Sequence, residues 1–420
     1  MTELSFMPII ESESSVLIND IDEKTLEFNR KNIELLSKFI KRVDRDEATN
    51  LDLFCYIECG SQSSAFRKKC RGVAFDADKQ IASGLSYTHE YTEFNNLTDI
   101  KENIVPILSN CSFFDAYEGS LVRFFYHKRW YLSTNRKLDA FKSKWVSKES
   151  FGSIFKAAIE NEYENNERLK NISSFDKEKD NAIEKFQELL DKDKQYMFLL
   201  LRNDENRIVC SSTNKPTVYH VGTFLDSELS IDDDIYIPYP KKHNFSDITQ
   251  LFEYVRNVDY NILQGIIIYT PNNLQYKIFN EEYYELYKVR GNEPSIKFRY
   301  LQVRMNTKYN ELLRKLYLNF GDSFDNYERL IQIIANDILK AYINRFIRKN
   351  YVEVPVEEYQ VIKNCHAWHI NDRINNKINF NKVLDVLNQQ PATNINKMIR
   401  NRITAERIEL IEHQNLTQKH

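Results

Sequence analysis

The stretch DAYEGSLVRFFYHKRWYLSTNRKLDAF, Asp115 to Phe141, decides how the rest of the chain is interpreted. It opens with an acidic turn that contains Gly, and it continues as a hairpin in which aromatic residues alternate with Arg and Lys. Cations that can pair with phosphates, beside aromatic faces that can stack on bases, are typical of nucleotide or single-strand nucleic-acid binding. The stretch therefore indicates either an active site or the frame of one.

Length and composition limit the possible classes of protein. The chain has 420 residues, of which 42% are hydrophobic and 28% charged, and this favours a globular protein of two or three domains. Only 9 Gly and 9 Pro are present, which argues against a Gly-rich phosphate loop and against a long flexible linker. The net charge of −3 provides no global attraction to nucleic acid, so any such binding needs a local patch.

The cysteines and the N-terminal sequence predict a cytoplasmic protein, or a virion protein if the source is viral. The cysteines form no C-x-x-C pair, as expected of reduced thiols. The sequence shows no basic start before an apolar run, and no segment reaches the roughly 18 apolar residues of a membrane helix. We therefore expect no membrane partner.

Hydrophobic periodicity divides the chain into three regions. Residues 1–50 are predicted as a polar segment followed by a helix from Asp22 to Val43. Residues 51–300 alternate short apolar bursts with turn residues and with helical stretches, which predicts an α+β domain. Residues 301–420 lack strand signals and are predicted as an all-helical domain. The fold class expected is α+β followed by a helical C-terminal domain.

Four segments, in order, resemble the nucleotidyltransferase core of the phage-type RNA ligase 1 family, part of the lysine nucleotidyltransferase superfamily. They are Lys69–Asn96, the opening stretch, Tyr196–Val209 and Leu263–Phe279. Each motif is short, whereas the order and spacing of the set are more specific. The resemblance covers about residues 55–290, and it implies a core of antiparallel sheets with flanking helices.

The resemblance also shows what this chain lacks. In the family a lysine, any residue, an acid and Gly lead into the hairpin, and the lysine amine attacks the α-phosphate of ATP. Here Ala116 stands at the lysine position, while Glu118 and Gly119 keep the acid and the Gly. Leu200 and Gln264 stand where the family has acids, Lys277 keeps the first lysine of a Lys-x-Lys pair, and Phe279 replaces the second.

These departures predict that adenylyl transfer has been lost. Alanine has no lone pair with which to form a phosphoramidate, and neither Leu200 nor Gln264 offers a divalent metal an anionic oxygen. We therefore assign no catalytic residue and no cofactor. ATP and Mg²⁺ enter only under the alternative of an active ATP-dependent RNA ligase that uses an atypical lysine, for which Lys69 is the best candidate.

The hairpin itself is predicted to bind nucleic acid. Between Leu121 and Trp145 the sequence has seven Arg and Lys residues and a single acid, Asp139. The candidates are Arg123, Lys128, Arg129, Arg136, Lys137, Lys142 and Lys144. The alternative is an ordinary hairpin that buries its aromatic face and shows its cations to solvent. We favour a functional surface, because the basic excess is concentrated here.

Several partners remain open from the sequence. The predicted role is an RNA-binding, RNA-end-binding, nucleotide-binding or protein-interaction module, and a composition rich in Asn, Ile, Lys and Phe is compatible with a structural component of a large DNA virus. The oligomeric state is not determined. Cys365 and His369 have metal-ligand spacing without a second ligand pair, so we predict no metal site. A basic amphipathic helix, Leu339 to Asn350, is a further candidate contact for RNA or a partner.

Overall fold

The computed structural model describes residues 23, 25–95, 97–145, 147–201 and 207–417. The chain divides into two compact units, residues 1–284 and residues 285–420, and each is described separately below. The sequence placed the corresponding division near residue 300.

A four-stranded antiparallel sheet, sheet A, opens the first unit. Its strands lie in chain order and are β1 (Ile40–Asp46), β2 (Leu51–Tyr56), β3 (Arg71–Asp76) and β4 (Lys79–Ala82). Short helices α1 (Arg30–Leu35) and α2 (Ala65–Lys69) accompany it. Leu51, Phe54, Val73 and Phe75 are buried, which explains the short apolar bursts in this part of the sequence.

The predicted helix from Asp22 to Val43 is wrong over most of its described length. Only Arg30–Leu35 is helical, and Ile40–Asp46 is a strand that pairs with Leu51–Tyr56. The buried carboxylate of Asp52 on β2 explains why, because it takes ion pairs from Arg30 at 2.7 Å and from Arg45 of β1 at 2.9 Å. A buried charge needs such partners, and this requirement overrides the local helical spacing. The predicted boundary at residue 50 therefore separates two paired strands.

Two five-stranded sheets complete the first unit. Sheet B has the order β12-β6-β13-β14-β5, and sheet C has the order β11-β10-β9-β7-β8. Adjacent strands are antiparallel except β14 and β5, which are parallel. The strands are β5 (Thr88–Thr92), β6 (Ser112–Ala116), β7 (Ser120–His127), β8 (Arg129–Ser133), β9 (Gln195–Leu201), β10 (Thr217–Leu225), β11 (Glu228–Ser230), β12 (Lys242–His243), β13 (Gly265–Tyr269) and β14 (Gln275–Phe279).

Helices cover one face of each of these sheets. They are α3 (Leu97–Asn103), α4 (Phe151–Asn165), α5 (Glu167–Ile172), α6 (Ala182–Gln187) and α7 (Ile248–Asn257), and α8 (Glu281–Arg290) follows β14. Phe155 of α4 and Phe186 of α6 pack with Phe198 of sheet C in one core. Leu251 of α7 packs with Ile268 of sheet B in another. The opposite faces of sheets B and C remain to line a cavity.

Arg123 of β7 connects sheet A to sheet C. Its side chain is 1% exposed, and burial lowers its pKa to about 10, so it is charged at neutral pH. Nε donates to the Ser133 hydroxyl at 2.8 Å, and Nη1 donates to the carbonyl of Ser83 at 2.8 Å and to the carbonyl of Gly72. Arg123 was predicted to bind nucleic acid, and this is wrong because its guanidinium is enclosed between the sheets.

The second unit is helical throughout its described residues. Its helices are α9 (Ile296–Val303), α10 (Thr307–Leu316), α11 (Gly321–Tyr342), α12 (Val356–Asn371), α13 (Phe380–Asn388) and α14 (Ala392–Thr417), with a π-helical turn at Ile343–Ile347. The buried residues of α11 include Leu330, Ile334 and Ile338, the spacing of an amphipathic helix. The predicted class, α+β with antiparallel sheets and a helical C-terminal region, is confirmed.

Replacing Arg123 with Ala should lower the free energy of unfolding by about 3 kcal/mol, because the change opens a cavity and strands two buried carbonyls. Urea denaturation of both proteins measures the difference. The matched control is Arg136→Ala, which removes an exposed arginine that bonds the Tyr56 carbonyl at 3.3 Å and should cost less than about 0.5 kcal/mol. Equal effects at the two sites would contradict the assigned role of Arg123.

Candidate functional site

A cavity of about 130 Å³ lies between sheet B and sheet C. Strand register places its residues, because Phe114 of β6, Ile267 of β13 and Lys277 of β14 are directly paired and share one face. Ala116 is two residues along β6 on that same face. The lining residues are Arg71, Leu85, Thr88, Phe114, Asp115, Ala116, Tyr117, Gly119, Leu121, Leu199, Val221, Tyr239, Pro240, Gln264, Ile267, Tyr269, Gln275 and Lys277.

The two walls of the cavity differ in chemistry. Sheet C contributes Leu121, Leu199 and Val221, which belong to an apolar cluster with Leu85. The opposite wall has hydroxyl, amide and cationic groups from sheet B and from Arg71 of sheet A. An apolar wall facing a few polar groups is the usual composition of a small-molecule site.

Gln275 is the polar group that most directly indicates a ligand. The residue is 2% exposed, and its Oε1 accepts a hydrogen bond from Thr88 Oγ1 at 3.3 Å. Its Nε2 is buried without a hydrogen-bond partner among the described residues, and so is the hydroxyl of Tyr239. An unpaired buried amide costs about 1–3 kcal/mol, so a ligand that offers an acceptor here would recover that energy.

Lys277 carries the amine that lines the cavity. Its Nζ donates to Gln264 Oε1 at 2.9 Å, and Gln264 Nε2 donates to the Tyr283 hydroxyl at 2.7 Å. Burial lowers the pKa of Lys277, while nearby Glu90 opposes that shift. Among the described lining residues no other lysine is present, and Arg71 is the second cation.

The motif positions predicted from sequence fall into two groups. Ala116, Gly119, Gln264 and Lys277 all line the cavity. Glu118 instead accepts the backbone N–H groups of Ile208 at 2.7 Å, Val209 at 2.9 Å and Cys210 at 3.1 Å, and the Tyr283 hydroxyl at 3.1 Å. The acid of the motif therefore holds backbone in place.

The assignment of Leu200 needs a correction of one residue. Leu200 is fully buried in the core that contains Phe198, on the helix-covered face of sheet C, whereas Leu199 lines the cavity. Successive side chains of a strand point to opposite faces, so the two residues cannot exchange these roles. The position that faces the cavity is still apolar.

The cavity does not fit a divalent metal. Its only described carboxylate is Asp115, whose Oδ1 accepts from His243 Nε2 at 2.8 Å and from the Tyr254 hydroxyl at 2.6 Å. Mg²⁺ prefers free carboxylate and phosphate oxygens, which this lining does not offer. In the described part of the chain no group of His, Cys, Asp and Glu is arranged to hold a metal ion. Cys365 is buried, and His369 hydrogen-bonds the Asn376 carbonyl at 2.6 Å.

Lys69 lies outside the cavity, in a neighbouring groove of about 810 Å³. The groove shares Leu85 and Gln275 with the cavity lining, so the two spaces adjoin. Lys68 and His89 also line it, with His89 stacked on Tyr276 at 4.9 Å between ring centroids. Lys277 is therefore better placed than Lys69 for any chemistry in the cavity.

Three of the hairpin cations are paired by acids that are distant in sequence. Arg129 pairs with Asp46 at 2.7 Å, Lys137 with Asp44 at 3.5 Å, and Lys128 with Asp76 at 3.0 Å. Lys142 pairs with Asp139 at 3.6 Å, Lys144 donates to the Lys148 carbonyl at 2.8 Å, and Arg136 to the Tyr56 carbonyl. Sheet A thus offsets much of the positive charge that the sequence window showed alone.

Sequence reasoning missed the polar groups that complete the cavity. No recognisable catalytic pattern in the sequence includes Gln275, Thr88 or Tyr239. These residues become neighbours only in the folded chain, where all three line the cavity. Arg71 belongs to an Arg-Gly pair in the first family-like segment, which was the one available signal.

Comparison with known proteins gives viral relatives. The chain is 27% identical over 344 residues to an immediate-early protein ICP-46 homolog of Invertebrate iridescent virus 3, covering 79% of this chain and 73% of the relative. A homolog from Invertebrate iridescent virus 6 is 27% identical, over 77% of this chain and 72% of the relative. Immediate-early protein ICP-46 of Frog virus 3 is 24% identical, over 66% and 71%. These relatives support the viral source expected from composition.

Among solved structures the chain is similar to ATP-dependent ligases. A protein described as an ATP-dependent DNA ligase from Aquifex aeolicus is 12% identical with a TM-score of 0.38, covering 75% of this chain and 79% of that one. An archaeal ATP-dependent RNA ligase is 10% identical with a TM-score of 0.40, covering 71% and 73%. No protein-family model matches the chain. Likenesses of this size leave the function to be argued from the chain's own residues.

Membrane insertion is not indicated by the described helices, none of which combines the length and apolarity needed to cross a bilayer.

The acidic run after β11 is ion-paired, with Asp233 bonded to Lys194 at 2.9 Å and Asp232 to Lys242 at 3.3 Å.

His220, beside the cavity residue Tyr239, gives a pH prediction. The ring is fully buried, its Nε2 lies 3.0 Å from the Gly222 carbonyl, and burial lowers its pKa from 6.5 to about 4. As the pH falls, the unfolded chain therefore takes up a proton at this ring before the folded chain does. The free energy of unfolding should fall by about 3 kcal/mol in all between pH 6.5 and pH 4. Urea denaturation across this range should show a flatter pH dependence for His220→Gln. Parallel profiles would contradict the buried neutral state.

Proposed function

We propose that this chain is a viral protein with a ligase-like nucleotidyltransferase core of the phage-type RNA ligase 1 kind, which binds a nucleotide or an RNA end and does not transfer adenylate. The observation that carries the proposal is the cavity lining, in which Ala116 stands where the family has its lysine. The relatives are described as immediate-early proteins, so we also propose synthesis early in infection.

Among the described lining residues no carboxylate is free to bind a metal, and this supports the loss of transfer. A triphosphate that is to lose pyrophosphate needs charge neutralisation, commonly by Mg²⁺. Here the one lining carboxylate, Asp115, is engaged by His243 and Tyr254, and Gln264 is engaged by Lys277 and Tyr283. The cavity is therefore suited to holding an anion rather than to splitting a triphosphate.

The shape of the site supports a base-sized ligand. The cavity, at about 130 Å³, is smaller than the roughly 300–1,000 Å³ of most ligand sites, but the adjoining groove adds about 810 Å³. A planar base between the apolar wall and Phe114 would present acceptors to Gln275 Nε2, and its phosphate could pair with Arg71 or Lys277. The remainder of an RNA strand could then follow the groove past Lys68 and Lys69.

Calorimetric titration with AMP, ATP and a 5′-phosphorylated RNA tests this proposal. Gln275→Leu should weaken binding about tenfold, because it removes the amide that bonds the base, and Arg71→Met should weaken phosphate-bearing ligands by a similar factor. Lys297→Met is the matched control, since its side chain is exposed on α9 and lines neither the cavity nor the groove, and it should leave affinity unchanged. If none of these ligands binds the wild-type protein, the proposed nucleotide site fails.

A second candidate function, covalent adenylylation from Lys277, is favoured by one observation. Its amine lines the same cavity as Ala116, and burial lowers its pKa, which increases the neutral, nucleophilic fraction. In that case Nζ would form a bond to the α-phosphorus of ATP, pyrophosphate would leave, and the amine would lose a proton. The described lining residues offer no free carboxylate for a metal, which argues against this step.

Incubation with Mg²⁺ and α-labelled ATP, followed by denaturation, separates the two functions. We expect no acid-labile label on the wild type. The single variant Ala116→Lys should not restore ligation, because Gln264 still gives the metal no anionic oxygen. Label that is lost in Lys277→Met and retained in Lys69→Met would establish the second function in place of the first.

A further inference from the structure

The helical unit carries an exposed surface that combines aliphatic side chains with cations. We define this basic–apolar surface by Phe346, Ile347, Lys349, His366, Ile370, Arg373 and Ile374. The ring of Phe346, in the π-helical turn, stacks on the ring of His366 in α12 with 3.7 Å between centroids. Ile370 follows His366 by one helical turn and so lies on the same side of α12.

The cations of this surface approach the same histidine. Burial lowers the pKa of His366, and the positive charges of Arg373 and Lys349, together with neighbouring His369, lower it further. The stacking of Phe346 on His366 is the contact that brings the π-helical turn against α12 at this ring. The surface is therefore continuous across both elements.

Its apolar residues are unusually exposed for a folded helical unit. Ile347 is 67% exposed, Ile370 47% and Ile374 81%. Single exposed apolar residues need no explanation, but several on one surface mark an interaction site. Tyr351, in the segment that joins the two elements, is 87% exposed as well.

The charge on this surface is not balanced by the described residues. Neither Lys349 nor Arg373 has a carboxylate within ion-pair distance in the described part of the chain. The nearest acid in sequence, Asp372, is engaged by Asn375 through both its backbone and its side chain. Glu357 and Glu358 of α12 are paired with Lys397 and Arg402. A partner should therefore supply negative charge together with aliphatic side chains.

We propose that this surface binds the N-terminal segment, residues 1–22, of a second copy of the chain. The segment MTELSFMPIIESESSVLINDID contains no Lys or Arg, and its carboxylates are interspersed with Ile, Val, Leu and Phe. Its acids are Glu3, Glu11, Glu13, Asp20 and Asp22. This composition complements both features of the basic–apolar surface, opposite charge and aliphatic contact.

Nucleic acid fits the surface less well. Phosphates would pair with Lys349 and Arg373, but a nucleic acid offers few aliphatic groups to cover Ile347, Ile370 and Ile374. An acidic and aliphatic protein segment satisfies both requirements at once.

The test measures binding of a fluorescent peptide of residues 1–22 to the full-length chain by anisotropy. The host chain carries Glu3→Gln, Glu11→Gln, Glu13→Gln, Asp20→Asn and Asp22→Asn, so that its own segment competes weakly. We expect saturable binding that is weakened about tenfold by Lys349→Glu with Arg373→Glu, because attraction becomes repulsion. About 0.5 M NaCl should weaken it as well.

Two further variants control for charge and folding. Lys297→Glu with Lys315→Glu makes the same change in net charge at exposed positions of α9 and α10, and it should leave peptide binding unchanged within about twofold. Ile374→Ser keeps the charge and removes an exposed aliphatic group, so it should weaken binding without lowering the melting temperature.

Two results would overturn the proposal. One is the absence of saturable peptide binding, or equal affinity in the surface variant and in the charge-matched control. The other is that a single-stranded RNA of about 20 nucleotides binds this surface and loses affinity in Lys349→Glu with Arg373→Glu, while the peptide is unaffected.

Discussion

The buried guanidinium of Arg123 joins sheet A to sheet C in the first unit. It is enclosed without a carboxylate partner among the described residues. Its Nε donates to the Ser133 hydroxyl and its Nη1 to the carbonyls of Gly72 and Ser83, while its Nη2 is buried without a hydrogen-bond partner among those residues. Gly72 lies on β3 of sheet A, Ser83 follows β4 of the same sheet, and Ser133 is the last residue of β8 in sheet C. One cation therefore holds sheet A against sheet C. Leu121, two residues earlier on β7, is thereby held on the face that lines the cavity.

The motif frame around Ala116 has structural roles that do not require catalysis. Glu118 collects backbone N–H groups from Ile208 to Cys210, and a carboxylate left without those bonds would be costly to bury. At Gly119 a Cβ would lie 2.8 Å from the Leu200 carbonyl oxygen, too close for any larger residue without movement. A frame that holds backbone can persist in a chain whose chemistry has changed. The presence of an acid and Gly is therefore weak evidence for an active enzyme.

The positive charge of the hairpin is lower in the folded chain than the sequence alone indicated. Counting charges along the hairpin found a basic excess, but the pairing acids Asp44, Asp46 and Asp76 come from other strands. Charge balance is a property of neighbours in space, which a sequence window does not contain. The same limit explains the helix predicted across Ile40–Asp46, where pairing with β2 and the buried Asp52 outweighed local periodicity.

The sequence by itself determined the class of the fold, most strand positions of the first unit and the helical character of the second. These follow from periodicity and from motif order, which are local properties of the chain. Only the tertiary structure decided that Lys277 reaches the cavity, that Gln275 lines it with an unpaired amide, and that Leu199 rather than Leu200 faces it. Each of these depends on strand register and on the facing of two sheets, where a shift of one residue reverses which side chain is inside.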